Sequence, residues 1–372
     1  LRDRVQIEKI NYVLDYDTEV EIYKNKFGGD VEEEYCIQPG VLQTFAKAVI
    51  STRLNLDTSH MEKWIDNPED YSPHIDDNFL LLKMDLYRNV IPGYISSGDK
   101  QRFTRDLRKK IMGDSINEGV SGVSGRQSLK LFFDFLSRFS NNGHGLVKDK
   151  IIGIGDVVDY FKTQEAVEDI HIPGDFLEDL VSKYDWEVTQ QFKDCMFDAN
   201  EEEVSRQIQN YIFATNYEGS DVSVVCSFTG DTLNVSEDFF RDIEYILLDD
   251  EIGSEDQHRF RKIVQSDYLQ EILQEGIPLG KIKETDLYKR LIEKYSKNLK
   301  EYSIVPLMDP DGLEARAIKE FDTPEFDSSY DRKVKDNVNS LMSGLQTKFG
   351  YTAEGAKKIS CYLLDKELPS RY

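Results

Sequence analysis

A glycine- and serine-rich stretch followed by an arginine has the residue types and spacing that could hold an anion. Residues 118–139 read EGVSGVSGRQSLKLFFDFLSRF, so three glycines lead directly into an apolar segment with helical spacing. A loop that enters a helix N-terminus can surround an anion with backbone N–H groups. Arg126 would lie in the first helical turn and adds a planar, permanently charged donor. The sequence therefore predicts an anion site at Gly122, Ser124, Gly125 and Arg126.

Plainer interpretations of the basic residues stay open. An arginine at the start of a helix can be a solvated surface side chain, and glycines mark any tight connection. The helix N-terminus is already positive, however, so a cation there is favoured only if an anion is nearby. A second basic segment, residues 100–110 (KQRFTRDLRKK), carries six basic side chains. It is either a solvated face of an amphipathic helix or a contact to phosphate or to an acidic partner subunit.

Complete active sites of familiar enzyme classes are absent from the sequence. The Walker A pattern fails because residues 276–281 place three residues between their glycines, and Ile282 stands where Ser or Thr is required. The eukaryotic kinase pattern fails because the sequence has no His-Arg-Asp and no Asp-Phe-Gly. The four cysteines and five histidines show no metal-ligand spacing, so no metal site is expected. The phosphate-binding half of a nucleotide site is therefore missing.

Composition and charge narrow the class of partner. The chain has 372 residues, of which 39% are hydrophobic and 31% charged, and its formal net charge is -24. Nucleic acid and anionic membranes are disfavoured as partners because both are anionic. No apolar run approaches the ~18 residues of a membrane span, and no apolar signal core opens the sequence. We expect a cytoplasmic protein, and Leu1 in place of Met suggests a piece of a longer one.

The elements that must position the candidate site are almost all helices. Residues 5–12 (VQIEKINY) alternate apolar and polar side chains and predict a short strand. Residues 222–235 predict a β-hairpin that turns at Thr229–Asp231. Residues 303–329, with three prolines, predict a long exposed loop. Helical spacing predicts helices near 41–50, 79–90, 99–112, 126–139, 175–197, 200–217, 236–246, 285–302, 330–349 and 352–365.

Several segments, taken in order, resemble the PrkA-type serine protein kinases of bacteria. Residues 118–126 resemble the family's "EGISPR" segment, which corresponds to the sensor-2 segment of AAA+ nucleotide-binding proteins. The chain departs from that pattern by an extra Gly-x-Ser unit and by Gly125 where proline is usual. The other matching segments are Leu1–Val5, Asn11–Leu14, Glu19–Tyr23, Ser51–Leu54, Tyr184–Phe197, Glu201–Tyr211 with Asn210–Ile212, Phe228–Asp231, Ser236–Ile246 with Arg241–Glu244, and Phe349–Tyr351.

The resemblance implies a mainly α-helical protein with two helical domains, one short N-terminal strand and one small β-hairpin. Residues 1–150 would hold the end of an AAA+ core and its helical lid, and residues 151–372 the helical domain named for kinase activity. ATP and Mg²⁺ would be the cofactors, bound mostly by a missing upstream core. Arg126 would be the catalytic contact to the γ-phosphate, and Arg4 would reach the nucleotide of a neighbouring subunit.

Three functions stay open from the sequence. The chain could be the C-terminal part of an ATP-dependent serine protein kinase that acts on or recruits a protein substrate. It could instead be the lid and recruitment domain of an AAA+ remodelling ATPase, which the missing kinase patterns favour. The third alternative is a non-catalytic interaction module. The expected partners are a protein substrate and further copies of the protein through the AAA+ core, with neither nucleic acid nor membrane.

Overall fold

A computed structural model describes residues 10–113, 118–139, 150–168, 170–198, 201–248, 253–275, 281–303, 309 and 311–368. These residues form 17 α-helices and one two-stranded antiparallel sheet, which confirms the predicted mainly α fold. The strand predicted at 5–12 is not shown, because residues 10–12 are not in a strand and the rest lies outside the described residues. Arg4 also lies outside them. No described helix is both long enough and apolar enough to cross a membrane.

The described chain divides into two compact units. The first comprises the described residues up to Val188 together with Phe349–Ala356. The second comprises Thr189–Lys348 and the described residues from Lys357 onward. The functional boundary expected near residue 150 stays a prediction.

The first unit is a helical bundle around α3. This helix follows the Pro39-Gly40 turn, and ten of its eleven residues are buried, so the other helices surround it. Buried aromatic rings fill the space beside it, with Tyr23 stacked on Phe132 at a centroid distance of 4.5 Å. The helices of this unit are α1 (Tyr16–Phe27), α2 (Val31–Glu34), α3 (Val41–Ser51), α4 (Leu80–Tyr87), α5 (Ser97–Arg102), α6 (Arg105–Gly113), α7 (Gly125–Ser137), α8 (Ile154–Glu168) and the start of α9 (Phe176–Asp198).

The helix predicted at 99–112 is divided in the structure into α5 and α6. The break falls at Phe103, which leaves the helical conformation and stacks on the buried Trp64 ring at 4.1 Å. Thr104 follows Phe103, and its hydroxyl accepts from the N–H of Leu107 to start α6. The aromatic contact with a distant residue therefore outweighs the continuous helical pattern of the sequence.

The second unit packs four helices and a hairpin around one apolar core. The hairpin forms where it was predicted, with Val222 opposite Val235 and Val225 opposite Thr232. Leu233 and Val235 point into the core beside Tyr211, Ile212 and Phe240. The elements of this unit are the end of α9, α10 (Glu201–Ala214), β1 (Val222–Val225), β2 (Thr232–Val235), α11 (Glu237–Leu248), α12 (Ser254–Glu275), α13 (Asp286–Ser303), α14 (Leu313–Lys319), α15 (Pro324–Ser329) and most of α16 (Arg332–Phe349) and α17 (Ala353–Asp365).

The long loop predicted at 303–329 is wrong for the two stretches that form α14 and α15. Residues 304–308 and 310 lie outside the described residues, but α14 and α15 occupy most of the remainder. Pro324 is the first residue of α15, where its missing N–H has no helical partner to lose, and Thr323 caps this helix. Ala315, Ala317, Ile318 and Phe326 are buried, so tertiary packing holds these two short helices.

Candidate functional site

The glycine-rich loop is fixed at its start by the buried carboxylate of Glu118. This side chain is 3% exposed and accepts hydrogen bonds from the Tyr87 hydroxyl and, at 3.1 Å, from the N–H of Asn55. Lys83 Nζ lies 3.5 Å from Glu118 Oε1 and supplies the opposite charge. The backbone is held as well, because Asn11 Nδ2 donates to the Glu118 carbonyl at 3.0 Å. These contacts determine where the loop begins.

Two of the loop glycines are required by close packing against a neighbouring backbone. Gly119 and Gly122 have φ angles of +69° and +84°, in the left-handed region. A Cβ at Gly122 would lie 2.1 Å from the Thr52 carbonyl oxygen, and one at Gly119 would lie 2.8 Å from that of Tyr12. The N–H of Val123 also donates to Thr52 Oγ1 at 3.0 Å. Gly122, predicted as an anion contact, therefore has a packing role that needs no ligand.

A buried arginine holds the other side of the loop. Arg53 is 2% exposed, and its guanidinium donates to both carboxylate oxygens of Glu19, at 2.8 and 3.2 Å. Its Nε donates to the Val123 carbonyl at 2.7 Å, which ties the loop to the ion pair. The Ser128 hydroxyl, on α7, donates to Glu19. The Tyr23 hydroxyl lies 2.7 Å from the Ser128 hydroxyl oxygen. Charge-assisted and bidentate contacts of this kind fix position strongly.

The first turn of α7 carries the predicted anion site. Ser124 is the N-cap, and its hydroxyl accepts from the N–H of Gln127 while the Gln127 side chain accepts from the N–H of Ser124. Gly125 begins the helix and has open space on its α-carbon. Arg126 is exposed and makes no hydrogen bond or ion pair with the part of the chain that the structure describes. Ser124 thus has a capping role, whereas Arg126 has no structural role there.

The structure therefore leaves two residues of the predicted site, Gly125 and Arg126, that packing does not explain. Gly122, Ser124, Gly125 and Arg126 lie together at one loop–helix junction, as expected for neighbours in sequence. Their contact with a nucleotide stays a prediction. No group of three or more His, Cys, Asp or Glu side chains among the described residues could hold a metal ion.

Sequence reasoning missed the side chains that hold the loop. Glu19 and Arg53 lie 34 residues apart, and Glu19 and Ser128 lie 109 apart. The local pattern around each residue predicts a helix or a turn and says nothing of such distant pairing. The only available signal was the resemblance, which singled out the segments Glu19–Tyr23 and Ser51–Leu54 without joining them.

A second group of buried ionisable side chains in the first unit was also not predicted. Lys47 is 6% exposed, burial lowers its pKa, and its Nζ lies 4.7 Å from the centroid of the Tyr16 ring. Tyr16 donates to Asp85 at 3.4 Å, and Lys183 Nζ lies 4.0 Å from the same carboxylate. Burial and the Asp85 charge raise the pKa of Tyr16 well above its usual range. These groups contact one another inside the bundle, which favours a structural role.

The second unit contains a buried arginine cluster of its own. Arg261 is 1% exposed and donates to the two oxygens of Glu244 at 2.6 and 2.8 Å. It also donates to Glu237 at 2.9 Å, and its guanidinium carbon lies 4.2 Å from the centroid of the Phe240 ring. The Tyr211 hydroxyl donates to Glu244 at 2.9 Å, so two of the segments that carry the resemblance meet here. The cluster joins α10, α11 and α12.

A surface pocket of about 590 Å³ adjoins the hairpin turn in the second unit. The turn is held by Asn210, which donates to Asp231 at 2.8 Å and accepts from Thr229 at 2.6 Å. Three basic and three acidic side chains line the pocket, namely Arg206, Lys281, Lys283, Glu202, Glu203 and Glu284. Acidic and basic side chains are therefore equal in number in this pocket, and the lining carries no excess of positive charge.

The geometry defines a class of protein: a helical protein of two units, with an anchored loop that presents the exposed Arg126 at the start of a helix. The chain matches the family described as PrkA serine protein kinase C-terminal domain over residues 81–362, and it belongs to that family. The match includes Arg126 and Arg261, whereas Glu19 and Arg53 lie before it. Comparisons with curated proteins and with solved structures gave no match.

Proposed function

We propose that this chain is part of an ATP-using protein of PrkA type in which Arg126 contacts a phosphate of the bound nucleotide. The observation that supports this most is the state of Arg126. It is exposed and unpaired among the described residues, on the first turn of α7, where the positive end of the helix disfavours a cation. A phosphate placed there would remove that penalty and pair bidentately with the guanidinium.

The anchoring of the loop supports the same proposal. Glu118 at one side and the Arg53–Glu19 pair at the other hold the backbone that leads into α7. A donor that is already in place stabilises developing charge without first reorganising, which is where much electrostatic catalysis comes from. Arg126 would be the phosphate contact, and Glu19 and Arg53 would be positioning residues that act through the loop.

The described residues fit one contact to a nucleotide rather than a complete site. Bound ATP would supply the phosphoryl group, and most of its contacts, with Mg²⁺, would come from outside the described residues. This chain would contribute the Arg126 guanidinium and the adjacent N–H groups at the start of α7. Arg4 stays a weaker proposal for a neighbouring subunit's site.

The activity of the whole protein is proposed as phosphoryl transfer to serine of a protein substrate, after the family to which the chain belongs. A remodelling ATPase is the second candidate. The charge-balanced pocket of the second unit and the absence of kinase sequence patterns support it, because both fit recruitment of a protein better than phosphate chemistry. Recruitment of a protein substrate by the second unit is common to both candidates.

The experiment compares the full-length protein with its Arg126→Ala and Arg126→Lys variants under single-turnover conditions. Labelled ATP reports both release of phosphate and its transfer to protein. We expect Arg126→Ala to lose about 100-fold or more, as removal of one preorganised donor does, and Arg126→Lys to recover part of the loss. Lys333→Ala, which removes an exposed cation in α16, is the matched control and should change nothing.

The outcomes separate the candidate functions. Transfer that depends on Arg126 supports the kinase, and phosphate release without transfer supports the remodelling ATPase. A folded Arg126→Ala variant with unchanged rates contradicts the proposed contact. Neither activity in the full-length protein, together with firm binding of a partner, would leave the interaction module as the function.

A further inference from the structure

A positively charged helix face in the first unit is not used by the proposed function. Of the nine residues of α6, four are basic and one is acidic, and all five of these side chains are exposed. The basic ones are Arg105, Arg108, Lys109 and Lys110. They lie together in a chain whose net charge is -24, so this helix has the opposite charge to the molecule as a whole. The sequence singled out the same segment, at residues 100–110, as a contact to an anion or as a solvated face.

The packing of α6 turns its cations toward solvent. Ile111 is buried in the apolar cluster that contains Trp64, and Leu107 packs against the same cluster. Arg105 and Lys109 lie one helical turn apart on the opposite side of the helix. Like charges four residues apart destabilise a helix, and Arg105 lies in the first turn, where the helix dipole disfavours a cation. An anion bound at this face would remove both costs.

The structure does not neutralise these cations from within. Arg105, Lys109 and Lys110 make no hydrogen bond or ion pair with the part of the chain that the structure describes. Arg108 donates from Nη2 to the uncharged side chain of Asn89, at 2.8 Å from Oδ1. The chain has 70 acidic residues against 46 basic ones, so carboxylates are abundant, yet no described one pairs with those three. Their charges are therefore available to a partner.

The bond to Asn89 joins this basic face to an exposed apolar turn. Asn89 ends α4 with a φ of +59°, and the N–H of Val90 donates back to a carbonyl of the last turn of α4. After a helix end of this kind the next apolar residue usually packs back on its own helix. Here Val90 and Ile91 are instead 41% and 43% exposed. Lys100 of α5 donates to the Gly93 carbonyl at 3.1 Å, so cations hold the turn from both sides.

We propose that the outer face of α6 and the turn at Val90 and Ile91 together bind a segment of another protein that combines acidic and apolar side chains. Carboxylates of the segment pair with the cations of α6, since guanidinium and ammonium groups both form charge-assisted hydrogen bonds to carboxylates. Apolar side chains of the segment cover Val90 and Ile91, which removes exposed apolar surface from water. This binding needs neither Arg126 nor a nucleotide, so it goes beyond the proposed function.

The net charge of the chain favours an acidic protein segment over other anions. Nucleic acid and anionic membranes extend their charge far beyond α6, and a surface with a net charge of -24 repels them. A short segment needs to contact only this face, and charges more than about 8–10 Å away are largely screened at physiological salt. The exposed apolar turn also gives part of the segment a contact that does not depend on charge.

Fluorescence anisotropy of the full chain with a labelled synthetic peptide tests the proposal. The probe is a short peptide of glutamate and leucine, and two control peptides replace either every glutamate by lysine or every leucine by serine. We expect the probe to bind at low salt and to bind more weakly as salt screens the exposed charges. The lysine peptide should not bind, and the serine peptide should bind more weakly than the probe.

Two variants of the chain assign the binding to this surface. Lys109→Glu reverses a charge on the face and should weaken probe binding at least about fivefold, whereas Lys333→Glu reverses an equally exposed cation on α16 and should change nothing. Ile91→Ser should weaken probe binding about threefold or more. Leu313→Ser is its matched control, because Leu313 is also 43% exposed but lies on α14. All four positions are exposed, so we expect the variants to fold.

The outcomes separate this surface from other anion sites. A native chain that does not bind the probe at low salt overturns the proposal, and so does binding that is indifferent to Lys109→Glu. Vesicles of anionic phospholipid or a single-stranded oligonucleotide that bind more tightly than the probe, and lose binding in Lys109→Glu, also overturn it. Arg126→Ala should bind the probe as the native chain does, so failure of this proposal and failure of the proposed phosphate contact are distinguishable.

Discussion

Two arginines among the described residues are buried, Arg53 in the first unit and Arg261 in the second. They make the same kind of ion pair but contact different neighbours. Each donates bidentately to one buried glutamate, Glu19 or Glu244, and each is at most 2% exposed. Arg53 gives its remaining hydrogen bonds to backbone carbonyls, including that of Val123 in the glycine-rich loop. Arg261 gives its own to further carboxylates and to an aromatic ring. One cluster therefore positions a loop, and the other joins helices.

The difference also appears in the charge that each cluster encloses. Arg53 is matched by the single carboxylate of Glu19, and the pair is neutral. Arg261 faces Glu244, Glu237 and, at 3.4 Å, Glu218. Burial acts to lower the pKa of Arg261, but the hydrogen bonds and charges of Glu244 and Glu237 outweigh it and raise that pKa well above its usual range. Arginine stays charged in both clusters, and the additional carboxylates give Arg261 more hydrogen-bond partners, which suits a junction between helices.

The largest expected effect comes from breaking each cluster in turn. Arg53→Met and Arg261→Met should each lower the free energy of unfolding by about 3–5 kcal/mol, because each leaves a buried carboxylate without its partner. Only Arg53→Met should reduce single-turnover phosphate release by the full-length protein, because only Arg53 holds the loop before Arg126. Urea unfolding measures the loss of stability. Single-turnover phosphate release, measured under conditions where the variants are folded, tests the effect on activity.

The double variant Arg53→Met/Glu19→Leu tests whether the loss comes from the stranded charge. It removes both members of the pair, so it should recover part of the stability while phosphate release stays low. If Arg53→Met and Arg261→Met have equal stability and lose phosphate release equally, then Arg53 does not act through the loop in a way that Arg261 does not, and the prediction is contradicted.

The next effect concerns the close approach of the loop to Thr52. Gly122→Ala should cost roughly 1–3 kcal/mol, because φ is +84° and the new Cβ would lie 2.1 Å from a backbone oxygen. Gly125→Ala is the matched control, because Gly125 is the first residue of α7, three residues further on, and has open space around its α-carbon. Thermal unfolding of both variants checks the difference, and an equal cost at the two positions would show that the loop does not pack on Thr52.

Local sequence patterns predicted the elements of this fold where the decisive contacts are local. The helix after Pro39-Gly40 and the hairpin turning near Gly230 both form, because turn residues and apolar periodicity act within a few residues. The loop predicted at 303–329 fails at α15 because proline is typical of loops but also fits the first position of a helix, where Pro324 lies. Phe103 likewise interrupts a predicted helix through its contact with distant Trp64.

The candidate site was only partly predictable, for a related reason. Gly122 and Ser124 were predicted as anion contacts from their residue types, and the structure gives them packing and capping roles. The same residue types serve both purposes, so composition alone does not separate them. Pairing of Glu19 with Arg53 needs the tertiary fold and leaves no local pattern. Contact of Arg126 with a nucleotide stays a prediction.

A further prediction is that the free energy of unfolding depends on pH through His74 in the first unit. Burial and the charge of Lys183 lower the pKa of His74 from 6.5 to about 4, so the folded state holds it neutral. Below pH 6.5 the imidazole of His74 is protonated in the unfolded state but stays neutral in the folded state. The contribution of neutral His74 to the free energy of unfolding is thus fully present above pH 6.5, and it declines as the pH falls toward 4. Urea unfolding of the native chain and of His74→Phe across this range should show a shallower decline in the variant, and parallel declines would contradict the prediction.

The smallest effect separates the capping role of Ser124 from the proposed role of Arg126. Ser124→Ala removes the hydroxyl that accepts from Gln127 and should cost about 1 kcal/mol of stability. Phosphate release should change little, because Glu118, Arg53 and the close approach at Gly122 still hold the loop. Thermal unfolding and single-turnover kinetics of this variant beside Arg126→Ala make the comparison. A loss of phosphate release as large as that of Arg126→Ala would mean that the serine hydroxyl contacts the nucleotide, and that the two neighbours act as one site.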